Sequence, residues 1–347
     1  MQIGTLARTA LAAALAFGGL GGGTATARDA PPQQPGAVQL EAAFDTAFGT
    51  DIRSPRDYSA SYDGILQQQI ARLADGGQGR IGLFAVDLAT GEEIAVLGDQ
   101  RFPMASTSKI AIAATFMEGV ERGRWSLSSE FPLMLPLASR PFSTAVAPVR
   151  AGEHLSARQL IELMITRSSN PATDALLKAV GGPAAVNDWV RRNGISEFNL
   201  SRDIATLVRD DGEVDPATSI DTRDSATPRA MVQLLSGLHQ GRFLSDSSRR
   251  VILGAMERCR TGTRRMRALM PAGVTVSHKT GTLNNTASDI GFIHAPDGRT
   301  IAVAIYVTGQ GGRPGRDAKI ANLARAIYDG YAQQGTLAGR QMVNANY

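Results

Sequence analysis

Apolar positions in this chain follow two periods, and the change from one to the other divides it. Between Tyr62 and Asp75 they fall at Ile65, Ile70 and Leu73, which suits an amphipathic helix. The run Arg80-Ile-Gly-Leu-Phe-Ala-Val-Asp-Leu is short and continuous. Thr90-Gly91 and then Glu93-Ile-Ala-Val-Leu follow it, and the pair predicts a β-hairpin. A helix is predicted over about 107–121, and the pattern stays mostly helical, punctuated by Pro and Gly, to about residue 256. Ser156 caps a helix to Thr166 with Leu160, Ile161, Leu163, Met164 and Ile165 inward. Ala172–Val180 stops at Gly181-Gly182-Pro183, and Ala184–Asn193 stops at Gly194. Residues 200–227 are polar and irregular, and Thr227-Pro228 opens a helix through Leu238. Strand patterns return at Val274–Lys279, at Ser288–His294 and, after the turn Ala295-Pro-Asp-Gly298, at Thr300–Thr308; Ala318–Tyr331 reads as a closing helix.

An early hairpin, a helical middle, late strands and a last helix predict an α+β fold. Its antiparallel sheet is completed by both ends of the chain and flanked by helices, with an inserted all-helical region. The ends read differently. Residues 1–27 have the pattern of a secretory signal: Arg8, an apolar stretch from Thr9 to Leu20, and Ala25-Thr26-Ala27 as a cleavage site. Residues 28–60, with Pro31, Pro32, Pro35 and Pro55, read as a linker with a short helix at Leu40–Phe48. The expected domain is 61–333 and the remainder, 334–347, a C-terminal tail. This organisation implies a secreted, periplasmic protein without a membrane anchor once the signal is removed.

Charge and cysteine use narrow the classes. Removing Arg8 takes the formal charge from +4 to +3, and no Lys/Arg run forms a basic stripe, which argues against nucleic-acid binding. Cys259 is the only cysteine, so no internal disulfide can form; it reads as a small buried apolar residue. His154, His239, His278 and His294 form no recognisable pair and lack ligand spacing, so neither a metal nor another cofactor is expected.

The candidate chemistry lies in three short elements. Ser106-Thr-Ser-Lys109 opens the predicted helix, and Ser and Lys three apart share a face there. A nucleophilic hydroxyl, an amine and a helix N-terminus within one turn are the equipment for acyl transfer without histidine. Ser-x-x-Lys also arises by chance. However, only four of the 36 basic residues (Lys plus Arg) are lysines, and a Lys can lose its proton when desolvated where an Arg cannot; a bias toward Arg codons would give the same count. Ser168-Ser169-Asn170 sits between two helices, where a hydroxyl and an amide can face one cleft; the same letters suit a loop of turn formers. Lys279-Thr280-Gly281-Thr282 ends a predicted strand and suits an acidic, extended ligand, or equally a Lys-protected edge.

Together the three elements resemble the serine penicillin-recognising family, the class A β-lactamases and penicillin-binding D-Ala-D-Ala peptidases, whose signature is Ser-x-x-Lys, Ser-Asp-Asn and Lys-Thr-Gly. Phe102-x-Met104, Gly181-Gly182-Pro183, Arg223-Asp224-x-x-Thr227-Pro228-x-Ala230-Met231 and Arg265-Met-Arg-Ala268 resemble class A more narrowly, and the likeness covers about 61–333. The resemblance implies a monomer whose partner is a small-molecule β-lactam. It implies Ser106 as nucleophile, Lys109 as base and Ser168 as proton relay. Asn170 would hold the substrate amide, and Lys279, Thr280 and Thr282, with Gly281 between them, the substrate carboxylate. The Ser106 and Thr282 N–H groups would form the oxyanion hole. Arg265 matches a second carboxylate-binding arginine, or is an exposed basic residue between Arg264 and Arg267. Three departures stand out: Ser169 for the family's Asp, His278 for Asp before the lysine, and Asp174 for Asn. A fourth affects the chemistry. Arg202 and Asp224 look like the pair closing the family's omega loop, yet Ile204 falls where class A places its water-activating Glu. Glu213 is the only Glu in that loop and Asp210, Asp211 and Asp215 are its other candidate carboxylates; any of them can curl back toward Ser106, or all can stay solvated. The resemblance therefore implies a β-lactam hydrolase, with a D-Ala-D-Ala carboxypeptidase or a penicillin-binding sensor that stalls after acylation as alternatives.

Overall fold

Strands at the two ends of the domain meet in one sheet. The computed structural model describes residues 64–344 apart from residue 76, with side chains through residue 333. The expected signal and linker, including the Leu40–Phe48 helix, lie outside the described residues. Helix α1 (Ile65–Leu73) precedes β1 (Ile81–Asp87) and β2 (Glu93–Val96); β8 (Thr275–Leu283), β9 (Thr286–His294), β10 (Thr300–Thr308) and helix α9 (Arg313–Asn344) close the chain. The sheet order is β2-β1-β10-β9-β8, and each pair is antiparallel. Strand β10 shows why the sheet is central. Ile301, Val303, Ile305 and Val307 pack with Ile320, Leu323 and Ile327 of α9 on one face, while Ala302, Ala304 and Tyr306 join the helical core on the other. Burial on both faces turns the alternating pattern into a continuous apolar run.

Between these strands lies the helical layer: α2 (Lys109–Glu121), α3 (Ala157–Thr166), α4 (Asn170–Val180), α5 (Pro183–Arg192), α6 (Ile204–Arg209), α7 (Pro228–His239) and α8 (Asp246–Glu257). Residues 110 to 117 of α2 are all buried or nearly so, which makes it the central helix. Ser156 caps α3 in a full capping box with Gln159, and Gly181 ends α4 in the left-handed conformation, as the sequence patterns predict.

Four expectations are corrected. The middle is not uniformly helical: β4 (Glu130–Pro136) pairs with β5 (Val149–Ser156) as a separate ribbon, with an irregularity between Pro132 and Met134. Prolines exclude a helix interior but are tolerated in a two-stranded edge. Two short strands, β6 (Phe198–Asn199) and β7 (Ser225–Ala226), also join β3 (Phe102–Pro103). The polar stretch 200–227 contains α6, whose N-cap Asp203 accepts from Thr206 N at 2.7 Å. Strand β8 extends past the expected Lys279 to Leu283, so that the Lys-Thr-Gly-Thr element lies within its final stretch, and α9 continues through the expected tail to Asn344.

Candidate active site

Ser106 lies in a single 3-10 turn, Ala105–Ser108, that runs directly into α2. The turn is fixed from several sides. Met104 N donates to Asp224 O at 2.9 Å, and Thr107 Oγ1 contacts Met104 O at 2.7 Å and Tyr306 Oη at 3.1 Å. Ala105, the residue before Ser106, has φ of +48°, a left-handed conformation that a non-glycine residue adopts only when its surroundings enforce it. Gly281 of β8 supplies part of that enforcement. A Cβ there would stand 2.8 Å from Met104 O and 3.1 Å from Ala105 Cβ, so only glycine lets the strand approach the turn. Ser106 remains half-buried, and its hydroxyl forms no hydrogen bond among the described residues.

Two lysine amines converge on the second element. Lys109 Nζ donates to Ser168 O at 2.9 Å and Asn170 Oδ1 at 2.7 Å, and lies 3.3 Å from Ser168 Oγ. Lys279 Nζ donates to the same Oγ at 2.9 Å and to Thr280 O at 2.7 Å. Ser168 has φ of +58°, which turns its carbonyl and hydroxyl to the same lysine. Ser169 Oγ caps α4 by accepting from Ala172 N. Replacing the family's Asp here thus keeps a short helix cap. Both lysines are fully buried. Burial, followed by the Lys279 charge, pushes Lys109 well below the usual ammonium range, with Asp174 opposing. Burial brings Lys279 down to about 8.

Arg265 is neither an exposed basic residue nor open to the cleft. It is 1% exposed and braces β8: Nη1 donates to Gly281 O and Ser288 O at 2.7 and 2.9 Å, and Nη2 to Thr282 Oγ1 at 2.7 Å. Nε pairs with Asp317 at 2.6 Å, so the buried charge is matched. Its sequence neighbours Arg264 and Arg267 gave no sign of this, because its partners sit on β8, β9 and α9.

The loop follows a different logic. Arg202 Nε pairs with Asp224 Oδ2 at 2.6 Å, and Asp224 also accepts from the N–H groups of Ser201 and Arg202, closing the loop base. Glu213 does not curl back toward Ser106. Its carboxylate accepts from Arg223 Nη2 at 2.7 Å on the outer part of the loop, where Asp221 shares the same arginine. The carboxylate whose charge reaches Lys109 is Asp174, one turn beyond Asn170 on α4. It is buried and accepts from Ile204 N at 2.7 Å and Ala205 N at 2.9 Å, the first two amides of α6. Burial raises it to about 6 despite those bonds. Ile204 itself is 2% exposed and brings no proton acceptor.

Comparison with known proteins agrees with this geometry. The family model described as the beta-lactamase enzyme family matches residues 65–331. The extended-spectrum beta-lactamase PER-1 of Pseudomonas aeruginosa is 27% identical over 296 residues, covering 82% of this chain and 90% of that protein. The beta-lactamase SME-1 of Serratia marcescens is 27% identical over 246 residues, covering 70% and 80%. Among solved structures, an ancestral class A beta-lactamase superposes with a TM-score of 0.66 at 34% identity, over 76% of this chain and 99% of that one. A variant of PBP-A in an acyl-enzyme complex with penicillin G superposes with a TM-score of 0.66 at 27% identity, over 77% and 96%.

Proposed function

The chain belongs to the beta-lactamase enzyme family, and from that premise we propose that it is a class A-like serine hydrolase that opens the β-lactam ring of penicillin-type antibiotics. The single observation that carries the mechanism is the pair of buried amines on one serine hydroxyl beside Ser106. Lys109, neutral for part of the time, takes the Ser106 proton as Oγ attacks the lactam carbonyl. The proton passes through Ser168 Oγ to the lactam nitrogen as the C–N bond breaks. Lys279, held below its ordinary range yet mostly cationic at neutral pH, faces the substrate carboxylate with Thr280 and Thr282, while Asn170 meets the side-chain amide. The Ser106 and Thr282 N–H groups take the oxyanion, each worth about 3 kcal/mol in comparable sites. Arg265 acts through Thr282 and Gly281 and does not touch substrate.

Water then cleaves the acyl ester. Ile204 offers no base. Both Asp174 oxygens are committed to α6, so Lys109 is the better acceptor for the water proton, with Asp174 tuning its charge. This assignment replaces Glu213. A second reading, slow or stalled deacylation as in a penicillin-binding peptidase, is favoured by Ile204 alone. We further propose that the protein acts as a secreted, periplasmic monomer. The signal pattern of residues 1–27 supports export, and among the described residues no helix is long and apolar enough to cross a membrane.

Intact-protein mass after mixing with benzylpenicillin tests the reading. A penicilloyl adduct is expected that decays as penicilloic acid accumulates and is absent in Ser106→Ala. An adduct that persists supports the stalled reading. One that survives Ser106→Ala overturns the nucleophile.

A further inference from the structure

Beside the carboxylate-binding part of β8 lies a polar chain that the proposed mechanism leaves unused. Cys259 follows α8 and is 3% exposed. Its Sγ is 3.3 Å from Thr261 Oγ1, which is 2.6 Å from Thr280 Oγ1, and in each contact either atom can be the donor. The His278 ring lies beside the thiol. His278 Nδ1 contacts both oxygens of Asp289 at 2.8 and 2.9 Å, which leaves Nε2 for the sulfur. Nε2 is buried and has no well-formed hydrogen bond among the described residues. Cysteine and histidine stand 19 positions apart (278 − 259) and look unrelated in the sequence.

A hydroxyl carries one proton, so the chain has two arrangements. With Cys259 as a thiol, S–H donates to Thr261 Oγ1 at 3.3 Å, a shorter contact than the alternative acceptor Thr261 O at 3.9 Å; Thr261 donates to Thr280, and the Thr280 O–H is left for a carboxylate. With a thiolate, Thr261 donates to sulfur and Thr280 to Thr261. Thr280 then presents lone pairs to the carboxylate instead of a proton.

We infer that Cys259 sets the direction of the Thr261–Thr280 hydroxyl chain and so positions the Thr280 proton for the substrate carboxylate, and that loss of the thiol proton to solvent reverses the chain and weakens substrate capture. The inference rests on the proposed role of Lys279, Thr280 and Thr282. The charges around Cys259 fix where the reversal falls. On β8 and β9 these are His278, Lys279 and Asp289. After α8 they are Arg260, Arg265 and Arg267, whose Nη1 donates to Cys259 O at 3.1 Å. At the end of α8 Arg258 is paired with Glu162 of α3. Burial pushes the thiol up, but the His278 and Thr261 contacts more than offset this and bring it to about 7. Burial lowers His278, yet the Asp289 carboxylate overrides it and raises the ring to about 9. Asp289 thus favours the imidazolium beside the thiol, and burial lowers Lys279 to about 8.

The test is kcat and kcat/KM for benzylpenicillin against pH in the wild-type protein, Cys259→Ser and Cys259→Ala, with the ultraviolet absorbance of the thiolate followed in parallel. In the wild type kcat/KM falls about tenfold, as for loss of one hydrogen bond to a charged group, through the same pH range in which the thiolate appears, while kcat changes less. Cys259→Ser keeps a donor that does not ionise, so it retains the low-pH kcat/KM and shows no fall until Lys279 titrates. Cys259→Ala cannot ionise either, removes the same limb, and serves if the serine variant folds poorly. Superimposable profiles in wild type and both variants, with turnover intact, overturn the inference alone. A thiolate that forms only above the Lys279 range also overturns it. No acylation by the wild type at any pH overturns the proposed function and this inference together.

Discussion

Two neighbouring regions handle charge in opposite ways. Around Ser106, the amines of Lys109 and Lys279 are buried among hydroxyl, amide and carbonyl oxygens, and among the described residues neither forms a salt bridge. In the loop 203–223 the carboxylates are matched one by one. Asp203 caps α6, Asp210 pairs with Arg209 at 2.7 Å, Asp211 accepts from Asn284 N, Asp215 from Asn285 Nδ2, and Glu213 and Asp221 share Arg223. A buried charge left without a counter-ion is held at a cost in desolvation, which shows as a depressed lysine pKa and marks a working site. A carboxylate with a good partner is already spent on structure. The contrast supports the proposed route for protons, through lysines and serines and not through the acidic loop.

The largest test of that contrast is Lys109→Arg. The guanidinium keeps charge and reach but cannot lose its proton, so kcat/KM should fall about a thousandfold. A loss under tenfold would mean that the amine is not the base, and the contrast would fail. Next comes the clamp that separates the regions. Asp224 is buried, pairs with Arg202 and holds Met104 N through its carbonyl. Removing its carboxylate in Asp224→Ala leaves the guanidinium and two amides unpaired and should lower stability by about 3 kcal/mol, read by urea denaturation. A native midpoint would show that the carboxylate's bonds to Arg202 and the two amides add nothing to stability.

Ile204→Glu sharpens the comparison by moving a carboxylate from the loop's economy into the site. Glu at the start of α6 is favoured by the helix end and opposed by Asp174. The acyl-enzyme should decay about tenfold faster, measured by mass after rapid mixing. An unchanged lifetime would show that Lys109 already suffices. The smallest effect is expected for Glu213→Gln, whose surface pair with Arg223 contributes no more than about 1 kcal/mol. Its kcat/KM should stay within about twofold of wild type, and a large loss would return Glu213 to the chemistry.

The same contrast explains what the sequence made legible. Ser106, Lys109, Ser168, Asn170 and Lys279 stand out because the chemistry needs those residue types at those spacings, and β1, β9 and β10 are visible as short, near-continuous apolar runs because both of their faces are buried. The loop was opaque. Asp211 and Asp215 find partners at Asn284 and Asn285, some 70 positions away, and no local pattern says which of several carboxylates is already engaged. Asp174 is legible as a departure from the family's Asn, and its position four residues after Asn170 on one helix face could have pointed to its reach toward Lys109. The ribbon of β4 and β5 was hidden because its prolines read as breaks between helices. His278 and Cys259 carry no mutual signal until β8 passes the end of α8.

The closure of the sheet has a kinetic side. Strand β1 finds its only hydrogen-bonded neighbour other than β2 in β10, and Arg80 meets Thr308 across 228 positions of chain. A chain emerging N-terminus first therefore carries an unpaired apolar hairpin through most of its synthesis and can complete the domain only when the last strand is free. Loop closure over that span makes folding slow and leaves strand edges open to aggregation meanwhile. Late closure of this kind is compatible with the export proposed from the signal pattern of residues 1–27.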